Sequence, residues 1–233
     1  MNNDTLTFHL NTLKDQVSES RIQGTDGVRG QVCHMAGDYS SNPISSLVNE
    51  GLMTEDFFEL YTYAYCQELL EVDFAKERDL IVIGWDSRDL TGRFNEAAVR
   101  GIRKSGLTAV VVDILPTPAI SLYQMYLQAA CAFVITASHN PADQNGIKIF
   151  LGHSNLKLFP EDDKRLTQRC LNLKMEDIRN APLLGDIRDD KMEAREIFNT
   201  FMLDSDNHWL YKGSIDEVTI IVDVANGAFS PII

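Results

Sequence analysis

Short, unbroken apolar runs alternate along this chain with stretches whose apolar residues recur at helical spacing. Leu80-Ile81-Val82-Ile83, Ala109-Val110-Val111-Val112 and Ala132-Phe133-Val134-Ile135 carry no polar alternation. Strands of that kind are buried on both faces, as in parallel sheets covered by helices. Between the first two runs, Phe94, Ala97, Ala98, Gly101 and Ile102 form an i, i+3, i+4, i+7, i+8 stripe that stops at Gly106. Between the second and third, Thr117-Pro118 opens a helix reaching about Gln128. Upstream, Thr54 can cap a helix with Glu55 and Asp56 at its positive end. Phe58, Tyr61, Tyr65 and Leu69 share one face of that helix and read as core packing. The alternation predicts a three-layer α/β/α domain with a mostly parallel sheet.

The flanks are less regular. Residues 1–20 are polar and read as an N-terminal extension. Gly24-Thr25-Asp26-Gly27-Val28-Arg29-Gly30 reads as a loop, and residues 33–51 as an irregular connection. After the segment Asn145-Gly146-Ile147-Lys148-Ile149-Phe150, residues 152–159 suggest a hairpin arm. Pro160 starts a helix to about Leu173, and residues 174–189 read as a polar connector. Ala194, Ile197, Phe198, Phe201 and Met202 mark another amphipathic helix. Val218 to Val222 reads as a buried strand, leading into Asp223-Val224-Ala225-Asn226-Gly227-Ala228. The expected organisation is an extension over 1–20, one domain over 21–185, and over 186–233 a linking helix with the cut-short start of a second, similar domain. A strand and a turn cannot cover the sheet they begin.

Composition narrows the classes. A chain of 233 residues holds one large or two small domains, and 44% hydrophobic with 24% charged residues suits a globular protein with a substantial core. The formal net charge of −13 argues against nucleic acid or an acidic membrane as partner, while leaving room for a local basic pocket. No apolar run approaches the roughly 20 residues of a membrane span, and the N-terminus lacks a signal-peptide pattern. Cys33, Cys66, Cys131 and Cys170 are scattered, without metal spacing, and three of them, in apolar or helical contexts, read as buried reduced thiols; a cytoplasmic location is expected. The oligomeric state stays open.

Candidate chemistry centres on Thr136-Ala137-Ser138-His139-Asn140-Pro141. The loop leaves the carboxyl end of a predicted strand, where open α/β folds place ligands. A hydroxyl there, near His139 and Lys148, is a candidate nucleophile or phosphate carrier. Asp86, Arg88 and Asp113 are placed just past strand ends on the same edge. Plainer readings stand beside these. Ser138 could be a turn serine and His139 a loop brace. Lys148 could face solvent, and Arg29 could pair with Asp26 or Asp86. Asp86-Ser87-Arg88 could hold loops together, and the glycine spacing could meet backbone geometry alone. A serine hydrolase is disfavoured, because Ser138 does not sit in a Gly-x-Ser-x-Gly elbow.

Gly24 to Gly30, Thr136 to Pro141 and Asn145 to Lys148, in that order, resemble the N-terminal signature of the α-D-phosphohexomutases: the phosphoglucomutases, phosphomannomutases and phosphoglucosamine mutases. The likeness runs over about residues 22–230 and is greatest to the phosphoglucosamine mutase branch. It implies a four-domain enzyme that moves a phosphoryl group between C6 and C1 of a hexose phosphate through a phosphoserine and a hexose 1,6-bisphosphate. By motif, Ser138 would carry the phosphate and supply one oxygen to Mg2+. His139 and Lys148 would lie near the transferring group, and Arg29 would complete a basic rim. Thr136, Asn140 and Arg88 would hold substrate or phosphate. Three expected segments are absent from the sequence: Asp-Gly-Asp-Gly-Asp-Arg for the metal, Gly-Glu-x-Ser-Gly-His for the sugar, and an Arg- and Ser-rich phosphate loop. The isolated chain is therefore expected to be inactive. The expected reaction is glucosamine 6-phosphate to glucosamine 1-phosphate. The alternatives are phosphomannomutase or phosphoglucomutase chemistry, or a noncatalytic stand-alone domain.

Overall fold

The computed structural model describes residues 21–24, 26–33, 42–152, 154–208 and 216–233. The expected extension over 1–20 lies outside the described residues, as do Thr25 and residues 34–41 of the expected connection. Seven strands form one sheet: β1 (Val28–Val32), β2 (Leu52–Met53), β3 (Leu80–Trp85), β4 (Thr108–Ile114), β5 (Cys131–Ile135), β6 (Gln144–Leu151) and β7 (Ile187–Asp189). Their order is β2-β1-β6-β5-β3-β4-β7. β6 is antiparallel to both its neighbours and every other pairing is parallel, so β6 alone runs against the rest.

The helices are α1 (Pro43–Glu50), α2 (Glu55–Glu71), α3 (Arg93–Lys104), α4 (Thr117–Leu127), α5 (Pro160–Asn172), α6 (Met175–Asn180) and α7 (Lys191–Leu203). Thr54 caps α2 as the sequence indicates, its hydroxyl accepting from the Phe57 amide. Strand side chains alternate between faces. Ile81, Ile83, Phe133, Ile135, Ile147 and Ile149 pack against Phe57, Phe58, Ala97 and Ile102 of α2 and α3. On the other face, Val82, Val110, Val112, Ala132 and Val134 meet Ala119, Ile120 and Tyr123 of α4, and Ala194 and Phe198 of α7. The predicted three-layer α/β/α architecture is therefore present.

Several local expectations change. Val28 to Gly30 belong to strand β1 rather than a loop, because their backbone pairs with β6. The irregular connection contains α1, held by Asn42 at its N-terminus and by Gly51 in the left-handed region at its C-terminus. The polar connector contains α6 and β7, so the sheet draws on residues beyond 185. Asp113 lies within β4, at a φ of 60°, where the register against β3 slips. Val218 to Val222 is not a strand: its backbone has no sheet partner among the described residues, and Val218, Ile220, Ile221 and Val222 are mainly exposed. An apolar run becomes a strand only where another edge receives its N–H and C=O groups. Among the described residues, no helix is long and apolar enough to cross a membrane.

Helices α2 and α3 pack closely on each other. A Cβ built at Gly101 would stand 2.2 Å from Thr62 Oγ1 and 2.3 Å from the Glu59 carbonyl oxygen. Thr62 Oγ1 also donates across to the Ala98 carbonyl at 3.0 Å. Gly101→Ala is expected to lower unfolding free energy by about 2 kcal/mol, the scale of core overpacking; a urea midpoint equal to wild type would contradict this contact. Cys66, Cys131 and Cys170 are buried, and burial pushes the Cys66 thiol up to about 12 and raises the other two. Alkylation requires thiolate. Native protein treated with iodoacetamide at mildly alkaline pH is expected to leave these three unlabelled in peptide mass spectra, whereas unfolded protein labels all of them.

Candidate functional site

The site begins with the chain reversal between β5 and β6. β5 ends at Ile135 and β6 opens at Gln144, and the two pair with Ile135 opposite Ile147 and Val134 opposite Lys148. The Thr136–Asp143 connection therefore turns back on itself at the carboxyl edge of β3 and β5. Ala137 is buried, while Ser138 and His139 are exposed at the tip. Ser138 has a φ of 60°, a left-handed conformation that disfavours a side chain by roughly 1 kcal/mol and persists only where neighbours enforce it.

Those neighbours are specific. Thr136 Oγ1 donates to Asp86 Oδ2 and accepts from the Ser138 amide at 2.8 Å. Asp86 follows β3, and its carboxylate takes Arg88 Nε at 2.9 and 3.0 Å. The rest of the Arg88 guanidinium lies inside the turn. It donates to the carbonyls of Ser138 at 2.6 Å, Gln144 at 2.7 Å, Pro141 at 3.1 Å and Asn140 at 3.5 Å. The Asp86 and Arg88 side chains are only 18% and 11% exposed, so the pair is shielded from solvent. In this arrangement Arg88 is a brace for the serine loop, its donors turned to backbone oxygens. Asn140 bridges outward: its Nδ2 donates to Gln144 Oε1 at 2.7 Å and its Oδ1 accepts from Arg29 at 3.3 Å.

Arg29 lies opposite Gly146 in the β1–β6 pairing, and cross-strand partners share a sheet face. Lys148 falls on that same face, two residues along. Its side chain is 9% exposed, which overturns the reading of a solvent-facing lysine. Lys148 Nζ reaches Asp26 Oδ2 at 2.8 Å and Arg29 reaches the same oxygen at 3.3 Å. Lys157, beyond β6, pairs with the other oxygen of Asp26. Burial, then the adjacent Arg29 charge, hold the Lys148 ammonium below the ordinary lysine range, while Asp86 pulls the other way.

Ser138 also borders a cleft of about 450 Å³ with Asp86, Ser87, Arg88, Pro116, Thr117, Pro118 and Thr136, closed on one side by Ala225 to Phe229. Ser87 Oγ donates to the Asn226 carbonyl at 2.7 Å across it. Among the described residues no three His, Cys, Asp or Glu side chains converge on one point. The Asp86 carboxylate beside the loop is already engaged by Arg88 and Thr136. The described residues alone do not assemble the set of oxygen ligands that Mg2+ takes.

Ser138, His139, Asn140 and Thr136 thus share one loop, joined by Arg88 from the segment after β3 and by Arg29 through Asn140. Lys148 belongs to the same ionic group as Arg29. Sequence reasoning did not find Lys157, because nothing local connects it to Asp26, more than a hundred residues away. Replacing Arg88 by Ala or Lys should uncouple the loop, since an ammonium cannot reproduce the fork. Breaking this shielded pair should cost about 3 kcal/mol, and amide hydrogen exchange over residues 137–146 should accelerate. Unchanged exchange in Arg88→Lys would remove the brace from this account.

Comparison with known proteins bears on the family and the fold. Residues 20–176 match the family described as phosphoglucomutase/phosphomannomutase, alpha/beta/alpha domain I. A phosphoglucosamine mutase of Syntrophomonas wolfei is 31% identical over 216 residues, 89% of this chain and 41% of that protein. One from Syntrophus aciditrophicus is 32% identical over 210 residues, again 89% of this chain and 41% of that protein. The chain thus spans about two fifths of the length of the curated relatives it matches. A crystal structure of a phosphoglucomutase/phosphomannomutase family protein from Burkholderia thailandensis superposes with a TM-score of 0.53 at 19% identity, over 80% of this chain and 35% of that one, and shares the fold. With most of its length matched and its serine loop set at the sheet edge, the chain belongs to the phosphoglucomutase/phosphomannomutase family of α-D-phosphohexomutases.

Proposed function

We propose that this chain is the phosphoserine-bearing region of a hexose-phosphate mutase, and that the parent activity interconverts glucosamine 6-phosphate and glucosamine 1-phosphate. The observation that carries the reading is Ser138 itself: exposed, held at positive φ, and braced from behind by the Asp86–Arg88 pair. Phosphoryl transfer needs positioning and charge neutralisation more than covalent assistance. The strained loop supplies the first, and Arg29 and Lys148 supply the second from the neighbouring strands.

In this reading phosphorylated Ser138 gives its phosphoryl group to the free hydroxyl of a hexose monophosphate, and the resulting 1,6-bisphosphate turns over and returns its other phosphoryl group to the Ser138 hydroxyl. Lys148, its proton loosened by burial, can give or take the hydroxyl proton. Arg29 offers a fork to the phosphate oxygens, and exposed His139 lies beside the transferring group. A phosphorylated Ser138 would add one oxygen to a Mg2+ ion whose other ligands come from outside the residues described here. The choice of glucosamine rests on the names of the relatives and on the branch-like motifs, not on any contact in this chain.

The test uses the whole parent protein. Ser138→Ala is expected to lower mutase kcat by 10⁴-fold or more, about 5 kcal/mol of transition-state stabilisation, with the fold kept by circular dichroism. Glucosamine 6-phosphate should exceed mannose and glucose 6-phosphates in kcat/KM. Undiminished turnover by Ser138→Ala would remove the phosphoserine. A preference for mannose 6-phosphate would move the chain to phosphomannomutase chemistry.

A further inference from the structure

Asp26 is a carboxylate on which three cations converge. Lys148 and Arg29 share its Oδ2, at 2.8 and 3.3 Å, and Lys157 takes its Oδ1. The three cations come from different places: Arg29 from β1, Lys148 from the interior of β6, and Lys157 from the segment after β6, tied back by a bridge between Phe150 and Lys157. Their exposures differ in a useful way. The Lys148 side chain is 9% exposed and that of Lys157 is 43%. Lys157 Nζ also lies over the Phe150 ring, 6.0 Å from its centre, a cation–π contact that favours keeping the ammonium there.

A half-shielded carboxylate held by only Lys148 and Arg29 would compete with any phosphate for those two cations. Turning them toward a phosphate would leave Asp26 unpaired, and an unpaired shielded charge is costly. We propose that Lys157 is a positioning residue of this site: by keeping the far oxygen of Asp26 paired, it leaves Lys148 and Arg29 free to turn toward a phosphate. Asp26 is then a resting partner for two cations, and Lys157 is the one that stays with it. The inference deepens the reading of Ser138 as a phosphate carrier and rests on it for its meaning, but its geometry stands on Asp26 alone.

The charged groups facing Lys148 are Asp26 before β1, Arg29 on β1, Asp86 after β3 and Lys157 after β6. Removing Lys157 has one direction at Lys148. Repulsion falls and the whole Asp26 charge becomes available, so the Lys148 ammonium is favoured and its titration moves up.

The experiment is a side-chain NMR titration of lysine Nζ groups in the 233-residue chain, repeated with inorganic phosphate as the anion probe. Lys157→Met is expected to raise the Lys148 midpoint by about one pH unit and to weaken phosphate binding several-fold. Asp26→Asn/Lys157→Met is expected to reverse both changes, because the competing carboxylate is gone. Lys157→Arg, which keeps the charge, should behave as wild type. A Lys148 midpoint indifferent to Lys157→Met, or a double variant no different from the single one, overturns the proposal. The readout needs neither phosphate on Ser138 nor turnover. A failed triad therefore leaves the serine reading intact, and an unphosphorylated serine leaves the triad result intact.

Discussion

The structure of the site depends on one strand running the wrong way. Because β6 alone opposes the other six strands, the chain must leave β5 and re-enter beside it, and the Thr136–Asp143 turn is the necessary consequence. The same reversal sets Lys148 opposite Val134 and brings Arg29 opposite Gly146. A parallel β6 would have needed a long crossover and would have separated the serine from both cations. Register then fixes the rest: a slip of one residue would exchange the faces of β6, sending Lys148 into the apolar layer that Ile147 and Ile149 occupy and those isoleucines out of it.

A turn that exposes a serine at positive φ has carbonyls facing inward without strand partners. Arg88 answers that need with a fork that several carbonyls share, and Asp86 balances its charge while holding Thr136. The brace and the cationic group are separate devices. Arg88 rigidifies the loop from the β3 side, whereas Arg29, Lys148 and Lys157 gather around Asp26 on the β1–β6 side. Asn140 touches both, accepting from Arg29 through its side chain and from Arg88 through its carbonyl. A change of charge near Asp26 can thus be felt at the serine loop through one residue.

Much of this was legible in the chain. The apolar runs of β3, β4 and β5 and the stripe of α3 carry their own periodicity, and the serine hexapeptide marks its own loop. What was hidden depends on partners far along the sequence. β1 looks like a loop because Gly27 precedes it and Gly30 lies within it; its strand character comes from pairing with residues 144–147. Val218 to Val222 looks like a strand and is not one, since a run of apolar residues cannot provide its own sheet edge. Lys148 could have faced solvent as far as its neighbours in sequence show, and its register against Val134 decides for burial. Lys157 gave no signal at all, because its importance lies wholly in meeting Asp26.

The central claim is that this braced loop exists to let Ser138 carry a phosphoryl group. The most direct measurement is to incubate the intact parent protein with glucosamine 1,6-bisphosphate bearing labelled phosphorus, then locate the label by peptide mass spectrometry. The account predicts one phosphoryl group, on the peptide containing Thr136 to Lys148 and specifically on Ser138, and its transfer to added glucosamine 6-phosphate. Label on another residue, or none in a protein that still turns over, would contradict it.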